Sequence, residues 1–396
     1  MNGAIGATRS REVAPLSRDA GDFDTFRAQV SRTTEAADWP FALTVDRNVP
    51  VYDGQAVRET VAAGSGPALM AEWLAALSTG PGVIAIKRAL ADGSVLDRAT
   101  AIFDAIIEQQ RRSQTGGGDH FAKPGANDRI WNALQKHCLS DPENFAAYYG
   151  NVAIDLVCRA WLGDGYQMTA QVNRVNPGGE AQTAHRDYHL GFMTPERLEK
   201  FPAHSHRLSP VLTLQGAVAH CDMPIESGPT QYLPYSQTFL EGYVAYGRPE
   251  YQRWFADHRV QLPLAKGDAV FFNPALMHAA GANVTKDTYR TANLLQVSSA
   301  LGRATEAIDR TRMVVALYPA LHAGLKAGTM TQQAADCAVA ASAEGYAFPT
   351  NLDNDPPIGG LAPKTQADLM REALRAGMSP EVFATTARRQ AERRNP

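Results

Sequence analysis

Near residue 166 the apolar residues of this chain begin to alternate, and they keep alternating to about residue 300. The segments YQMTAQVNRV, TAHRDYHLGF, VLTLQGAVAH, TQYLPYS, AVFFNP, ALMHAAG and YRTANLLQVSS follow one another there. Alternation puts every second side chain on the same face of an extended strand, so each segment predicts a strand with one buried face. Gly and Pro at 177–179, 228–229, 267, 274 and 281 separate the segments. Many short strands divided by turn residues predict a β-barrel or β-sandwich.

The flanks read differently. PGVIAIKRAL (81–90) predicts a buried strand opened by a Pro-Gly turn. Residues 94–113 predict a helix, with Leu96, Ala99, Ile102, Phe103, Ile106 and Ile107 on one stripe. GGGDH (116–120) breaks that pattern. Residues 140–163 predict one helix, with Ser140 and Glu143 at capping-box spacing, Pro142 in the first turn and Gly163 as its stop. After about 303 the helical period returns, with Thr365 and Ser379 as N-caps. The expected plan is a polar N-terminal segment (1–40), a β core with N-terminal helices (41–303) and a helical C-terminal extension (304–396).

Composition narrows the function classes. A net charge of -3 lacks the basic excess of a general nucleic-acid binder. The one strong basic run, Arg388, Arg389, Arg393 and Arg394, is read as a solvated helix end. Cys138, Cys158, Cys221 and Cys337 are far apart and form no CxxC, which fits reduced thiols in a cytoplasm and offers no sulfur-based zinc site. No signal-like h-region and no membrane-length apolar run is evident, so a cytoplasmic location is expected. No Walker A, Rossmann or G-x-S-x-G motif occurs.

TAHRDYHLGF carries His185, Asp187 and His189 at every second position. On a strand they point the same way. His278 lies in a later strand segment and Arg290 in the one after it. His185, Asp187 and His278 supply two imidazoles and a carboxylate, a set that occupies one face of an iron octahedron and leaves three positions open. A buried arginine offers a carboxylate a bidentate partner. A diacid co-substrate can therefore chelate iron at one end and meet Arg290 at the other. His189 is expected nearer the rim, as a structural residue, with a substrate contact as the alternative. Arg186 has opposite parity and should face away. His204 and His206 sit in a Pro-flanked loop without a carboxylate and are read as weak metal candidates.

NPGGEAQTAHRDYHLGF, AHCDMPIESGPTQYLPYSQ and GDAVFFNPALMHAAGANVTKDTYR, in this order and spacing, resemble the phytanoyl-CoA dioxygenase family of Fe(II)/2-oxoglutarate oxygenases. The resemblance spans about residues 80–300. It implies a double-stranded β-helix with the metal inside its open end. It makes His185, Asp187 and His278 the iron ligands and Arg290 the clamp for the distal carboxylate of 2-oxoglutarate. SGPTQYLPYS is similar to the family's Asn-Gly-to-Pro-Gly-Ser turn, with Ser227 and Tyr235 replacing Asn and Gly. Ala280 stands where the family often has a hydroxyl that helps bind 2-oxoglutarate. Gln171 and Asn173, on AQVNRV, are the candidates to take over. Arg290 also follows His278 at slightly more than the usual spacing.

The expected activity is oxidation, chiefly hydroxylation, of an unactivated C–H bond in a small molecule, with Fe(II), 2-oxoglutarate and O2 consumed to give succinate and CO2. Asp187 disfavours the halogenase variant, which lacks that carboxylate so that chloride can bind. Residues 191–210 form a polar segment expected as a lid, and Lys200, His204, His206 and Arg207 in it hint at an anionic substrate. The rival readings are a cupin-like metal enzyme that does not use 2-oxoglutarate, which would have no use for Arg290, and a non-catalytic barrel kept for binding.

Overall fold

The computed structural model describes residues 15–113 and 125–396. The GGGDH break and the first part of the polar N-terminal segment lie outside the described residues. The strands are β1 Thr44–Asp46, β2 Val49–Asp53, β3 Val83–Lys87, β4 Asn127–Ile130, β5 Gln167–Val175 and β6 Thr213–Ala219. They continue with β7 Thr230–Tyr232, β8 Val260–Gln261, β9 Ala269–Phe272, β10 His278–Ala280 and β11 Arg290–Ser298. Among the described residues they form an eight-stranded sheet, ordered β1-β2-β3-β9-β6-β11-β5-β4, and a three-stranded sheet, ordered β10-β7-β8. β2 and β3 pair parallel, and the other neighbours run antiparallel.

The period of two sorts the large sheet into two faces. Met168, Ala170, Val172, Leu214, Val218, Phe271, Leu295 and Val297 are buried in one cluster with the flanking helices. That cluster takes in Phe103 from Gly93–Ser113, Phe145 and Tyr149 from Pro142–Tyr149, and Leu317 and Leu321 from Arg310–Ala327. The C-terminal helices thus share the core that backs the sheet. Residues of the other parity face the small sheet. Val83, Ala85, Ala219, Val270 and Phe272 pack there with Tyr232, Leu262, Leu264 and Leu276. The Tyr232 and Phe272 rings meet with centroids 5.1 Å apart, one from each sheet. The result is a sheet-rich core with flanking helices. No helix among the described residues is long and apolar enough to cross a membrane.

The helix expected over 140–163 is two helices, Pro142–Tyr149 and Val152–Leu162. Asn151 causes the break. Its side chain accepts from the N–H groups of Ala153 and Ile154, capping a new helix inside the apolar run. Gly150 also lets the chain turn, because a Cβ there would sit 2.5 Å from the Ala146 carbonyl oxygen. The N-cap is Asp141 rather than Ser140, with Oδ1 accepting from Asn144 N–H at 3.0 Å. Gly163 ends the second helix, and Thr365 and Ser379 cap theirs, as expected.

The segment 191–210 is folded, with helices Pro195–Leu198 and Ala203–Val211. His206 is buried in it, donating from Nε2 to the Leu198 carbonyl at 3.1 Å, whereas Lys200, His204 and Arg207 are exposed. Of the C-terminal arginines, Arg393 and Arg394 lie 3.5 and 3.9 Å from the carboxylate of Asp355.

Candidate metal centre

His185 and His278 meet through an isolated main-chain bridge. His185 N–H donates to the His278 carbonyl at 2.9 Å, and His278 N–H returns the bond at 3.1 Å. The strand expected over 183–192 is reduced to this bridge. Asp187 N–H instead donates to the Pro274 carbonyl at 2.8 Å, and His189–Phe192 coil into a 3-10 turn. Gly191 makes that turn possible, since a Cβ there would lie 2.3 Å from the Arg186 carbonyl oxygen.

The three side chains converge. One ligand atom from each of His185, Asp187 and His278 lies within 4.8 Å of the others. Asp187 Oδ2 stands 3.6 Å from His185 Nε2 and 3.5 Å from His278 Nε2. The far nitrogens fix the tautomers. His185 Nδ1 is 2.8 Å from the Thr183 carbonyl, and His278 Nδ1 is 2.8 Å from the Leu276 carbonyl. A carbonyl only accepts, so each Nδ1 carries the proton and each Nε2 presents its lone pair to the shared space. Burial pushes the Asp187 carboxyl up; the hydrogen bonds and charge of the imidazoles, when they carry a second proton on Nε2, outweigh it and hold the group well below the usual carboxylate range. Burial and His185 push His278 down, which favours the neutral imidazole that binds metal. His278 is buried, while the side chains of His185 and Asp187 are 29% and 22% exposed, so the cluster opens on solvent from one side.

The registers place the other candidates. Arg290 pairs with Val175, Ala292 with Asn173, Leu294 with Gln171 and Gln296 with Thr169, so these residues share the inward face of β11 and β5. Arg290 is 7% exposed and donates from Nη1 to the carbonyls of Ser227 and Gly281, at 3.3 and 3.4 Å. Among the described residues no carboxylate forms an ion pair with it. Burial pushes its guanidinium down to about 10. Gln171 Oε1 accepts from Arg129 Nη2, and Asn173 Oδ1 is buried without a hydrogen-bond partner among the described residues.

The Ser227 carbonyl that holds Arg290 belongs to the SGPTQYLPYS turn. Gly228 there has φ +73°, and a Cβ would lie 2.4 Å from the carbonyl oxygens of Gly281 and Ala282. Tyr235 keeps the left-handed backbone of the glycine it replaces, with φ 67°, and its hydroxyl lies 2.7 Å from Thr34 Oγ1.

His189 stands apart from the cluster. Its Nε2 donates to the Arg303 carbonyl at 2.8 Å and its Nδ1 meets Thr213 Oγ1, at the start of β6, at 2.9 Å, so both ring nitrogens are engaged. Arg186 turns the other way, as its parity predicts, under Tyr243 with its guanidinium 4.8 Å from the ring centroid. Two polar contacts were not anticipated from sequence. Gln215 donates from Nε2 to Asp187 Oδ2 at 2.8 Å, and Arg129 reaches Gln171 from β4. The available signal was a glutamine at an inward position of the apolar segment VLTLQGAVAH.

Comparison with solved structures gives low likenesses. The α-ketoglutarate-dependent non-haem epimerase SnoN from nogalamycin biosynthesis is 18% identical, over 59% of this chain and 82% of that one, with a TM-score of 0.41. SnoN in complex with Fe3+, α-ketoglutarate and nogalamycin RO is 19% identical, over 59% and 85%, with a TM-score of 0.41. The carbocyclase SnoK of the same biosynthesis is 22% identical, over 56% and 80%, with a TM-score of 0.38. No curated protein matches the chain. The family model for phytanoyl-CoA dioxygenase matches residues 54–292, more than half of the chain, from β2's end through β11's start. The matched stretch contains His185, Asp187, His278 and Arg290, and the chain belongs to the phytanoyl-CoA dioxygenase family.

Proposed function

We propose that the protein is an Fe(II)/2-oxoglutarate-dependent dioxygenase that hydroxylates an unactivated C–H bond of a small molecule, built on a double-stranded β-helix. The observation that carries this reading is the pairing of two features between the two sheets. One is a His-Asp-His cluster with both Nε2 lone pairs turned inward. The other is a buried arginine with no carboxylate partner among the described residues. Two imidazoles and a carboxylate suit Fe(II), and three ligands leave positions for co-substrate and O2. Bound iron with 2-oxoglutarate and O2 supplies the oxidising power, releasing succinate and CO2.

The chain's own residues orient the groups. His185, Asp187 and His278 would hold the metal, each imidazole fixed by its Nδ1 bond. Arg290 would receive the distal carboxylate of 2-oxoglutarate as its charge partner. Asn173 and Gln171 share its face and would complete the co-substrate pocket. A metal enzyme that does not use 2-oxoglutarate has no use for a buried guanidinium that forms no ion pair among the described residues. Conversion of 2-oxoglutarate to succinate tests the reading. Wild type should form succinate only with Fe(II) and O2, and Asp187→Ala should form none. Full turnover by Asp187→Ala would remove the carboxylate from the centre.

A further inference from the structure

Gln215 is 3% exposed and lies on β6, between β9 and β11. Its partners in register are Phe272 and Gln296, so its Cα is held by a hydrogen-bonded strand on either side. Asp187 is carried quite differently, on an irregular segment whose main chain is tied to Pro274. The 2.8 Å bond from Gln215 Nε2 to Asp187 Oδ2 therefore joins an interior strand of the large sheet to the least regular of the three ligand positions.

The amide's orientation is fixed by chemistry. An ionised carboxylate only accepts, so the NH2 end must face Asp187 and Oε1 must face away. Oε1 is buried there without a hydrogen-bond partner among the described residues. The chain keeps the donor on Asp187 at the expense of that oxygen. The bonded oxygen, Oδ2, is also the one nearest both imidazole Nε2 atoms. An uncharged donor can fix the carboxylate without placing a second positive charge beside a cation, as lysine or arginine would.

We propose that Gln215 is a positioning residue for the metal centre, fixing the rotation of the Asp187 carboxylate so that Oδ2 faces the two imidazoles before metal arrives. This rests on the metal-centre reading above. Partners behind metal ligands typically change metal affinity 10–100-fold when removed.

The test is anaerobic Fe(II) titration without 2-oxoglutarate, by competition with a chromogenic chelator. Gln215→Met removes the donor at similar volume, and Gln215→Leu removes it with a branched apolar side chain and serves if the first variant fails to fold. Both should bind Fe(II) about 10–100-fold more weakly, with the melting temperature of the metal-free protein little changed. Gln296→Met, which leaves the Asp187 bond intact, should keep wild-type affinity. Wild-type affinity in Gln215→Met and Gln215→Leu, with binding lost in Asp187→Ala, overturns the proposal and leaves the triad standing. Wild-type affinity in Asp187→Ala overturns both.

Discussion

His185 and His278 exchange both of their main-chain hydrogen bonds, at 2.9 and 3.1 Å, so the pairing that sets two imidazoles side by side does not depend on the imidazoles. Their ring centroids lie 4.5 Å apart as a consequence. His185→Ala should therefore fold like wild type, with stability changed by no more than about 1 kcal/mol, because its side chain is partly exposed. It should lose Fe(II) binding. Thermal melting of the metal-free protein beside an Fe(II) titration separates the two effects, and a collapse of the fold would contradict the first.

Arg290 gives a prediction specific to the co-substrate. Truncating one partner of a buried charge pair typically costs about 2–5 kcal/mol. Arg290→Leu should weaken 2-oxoglutarate binding accordingly, while Fe(II) alone binds as in wild type. Titration of each in turn checks this. Equal 2-oxoglutarate affinity in the variant would remove Arg290 from the pocket.

Gly228 supports Arg290 from behind. A Cβ there would strike the carbonyl oxygens of Gly281 and Ala282, and the backbone lies in the left-handed region. Gly281 and Ser227 are the residues whose carbonyls hold the guanidinium. Gly228→Ala should destabilise the protein by about 1–3 kcal/mol and weaken 2-oxoglutarate binding more than Fe(II) binding. Denaturant unfolding and the same titrations read both. A variant as stable as wild type would show that the turn can relax.

The β core was legible because alternation survives in nearly every strand, and Gly and Pro mark the turns between them. The His-Asp-His cluster was legible because its members occur in segments whose order and spacing resemble a known family. Other features were not legible, for identifiable reasons. Asn151 reads as an ordinary polar residue inside an apolar helical run, yet its side chain caps a second helix there. The alternation of His185, Asp187 and His189 suggested a strand, but Gly191 and the bond from Asp187 to Pro274 bend the chain after the aspartate. His189 then bonds Thr213 at the start of β6 and the Arg303 carbonyl. Gln215 could not be linked to Asp187 without the register that brings β6 beneath it.

Two buried histidines behind the sheet make stability depend on pH. His220 meets Thr100 Oγ1 through Nδ1 at 2.8 Å and the Tyr148 hydroxyl through Nε2 at 2.9 Å, and His137 Nε2 meets Asn144 Oδ1 at 2.7 Å. Burial pushes His137 down to about 4 and His220 down to about 3. In the unfolded chain both titrate near the ordinary value of about 6.5. Below that pH the unfolded state takes up protons that the folded state refuses, so stability falls as pH drops. Each histidine contributes a slope of about 1.4 kcal/mol per pH unit, from about pH 6.5 down to its folded value. Denaturant midpoints at pH 7 and pH 5 should differ less in His220→Gln than in wild type. Equal differences would show that His220 does not carry this dependence.

The most direct test of the metal-centre account is anaerobic addition of Fe(II) and then 2-oxoglutarate, followed by visible absorption for the weak charge-transfer band of the chelate. Wild type should develop the band. His185→Ala should not, and Arg290→Leu should need far more 2-oxoglutarate to reach it. Wild-type protein that binds Fe(II) yet never gives the band with 2-oxoglutarate would contradict the account.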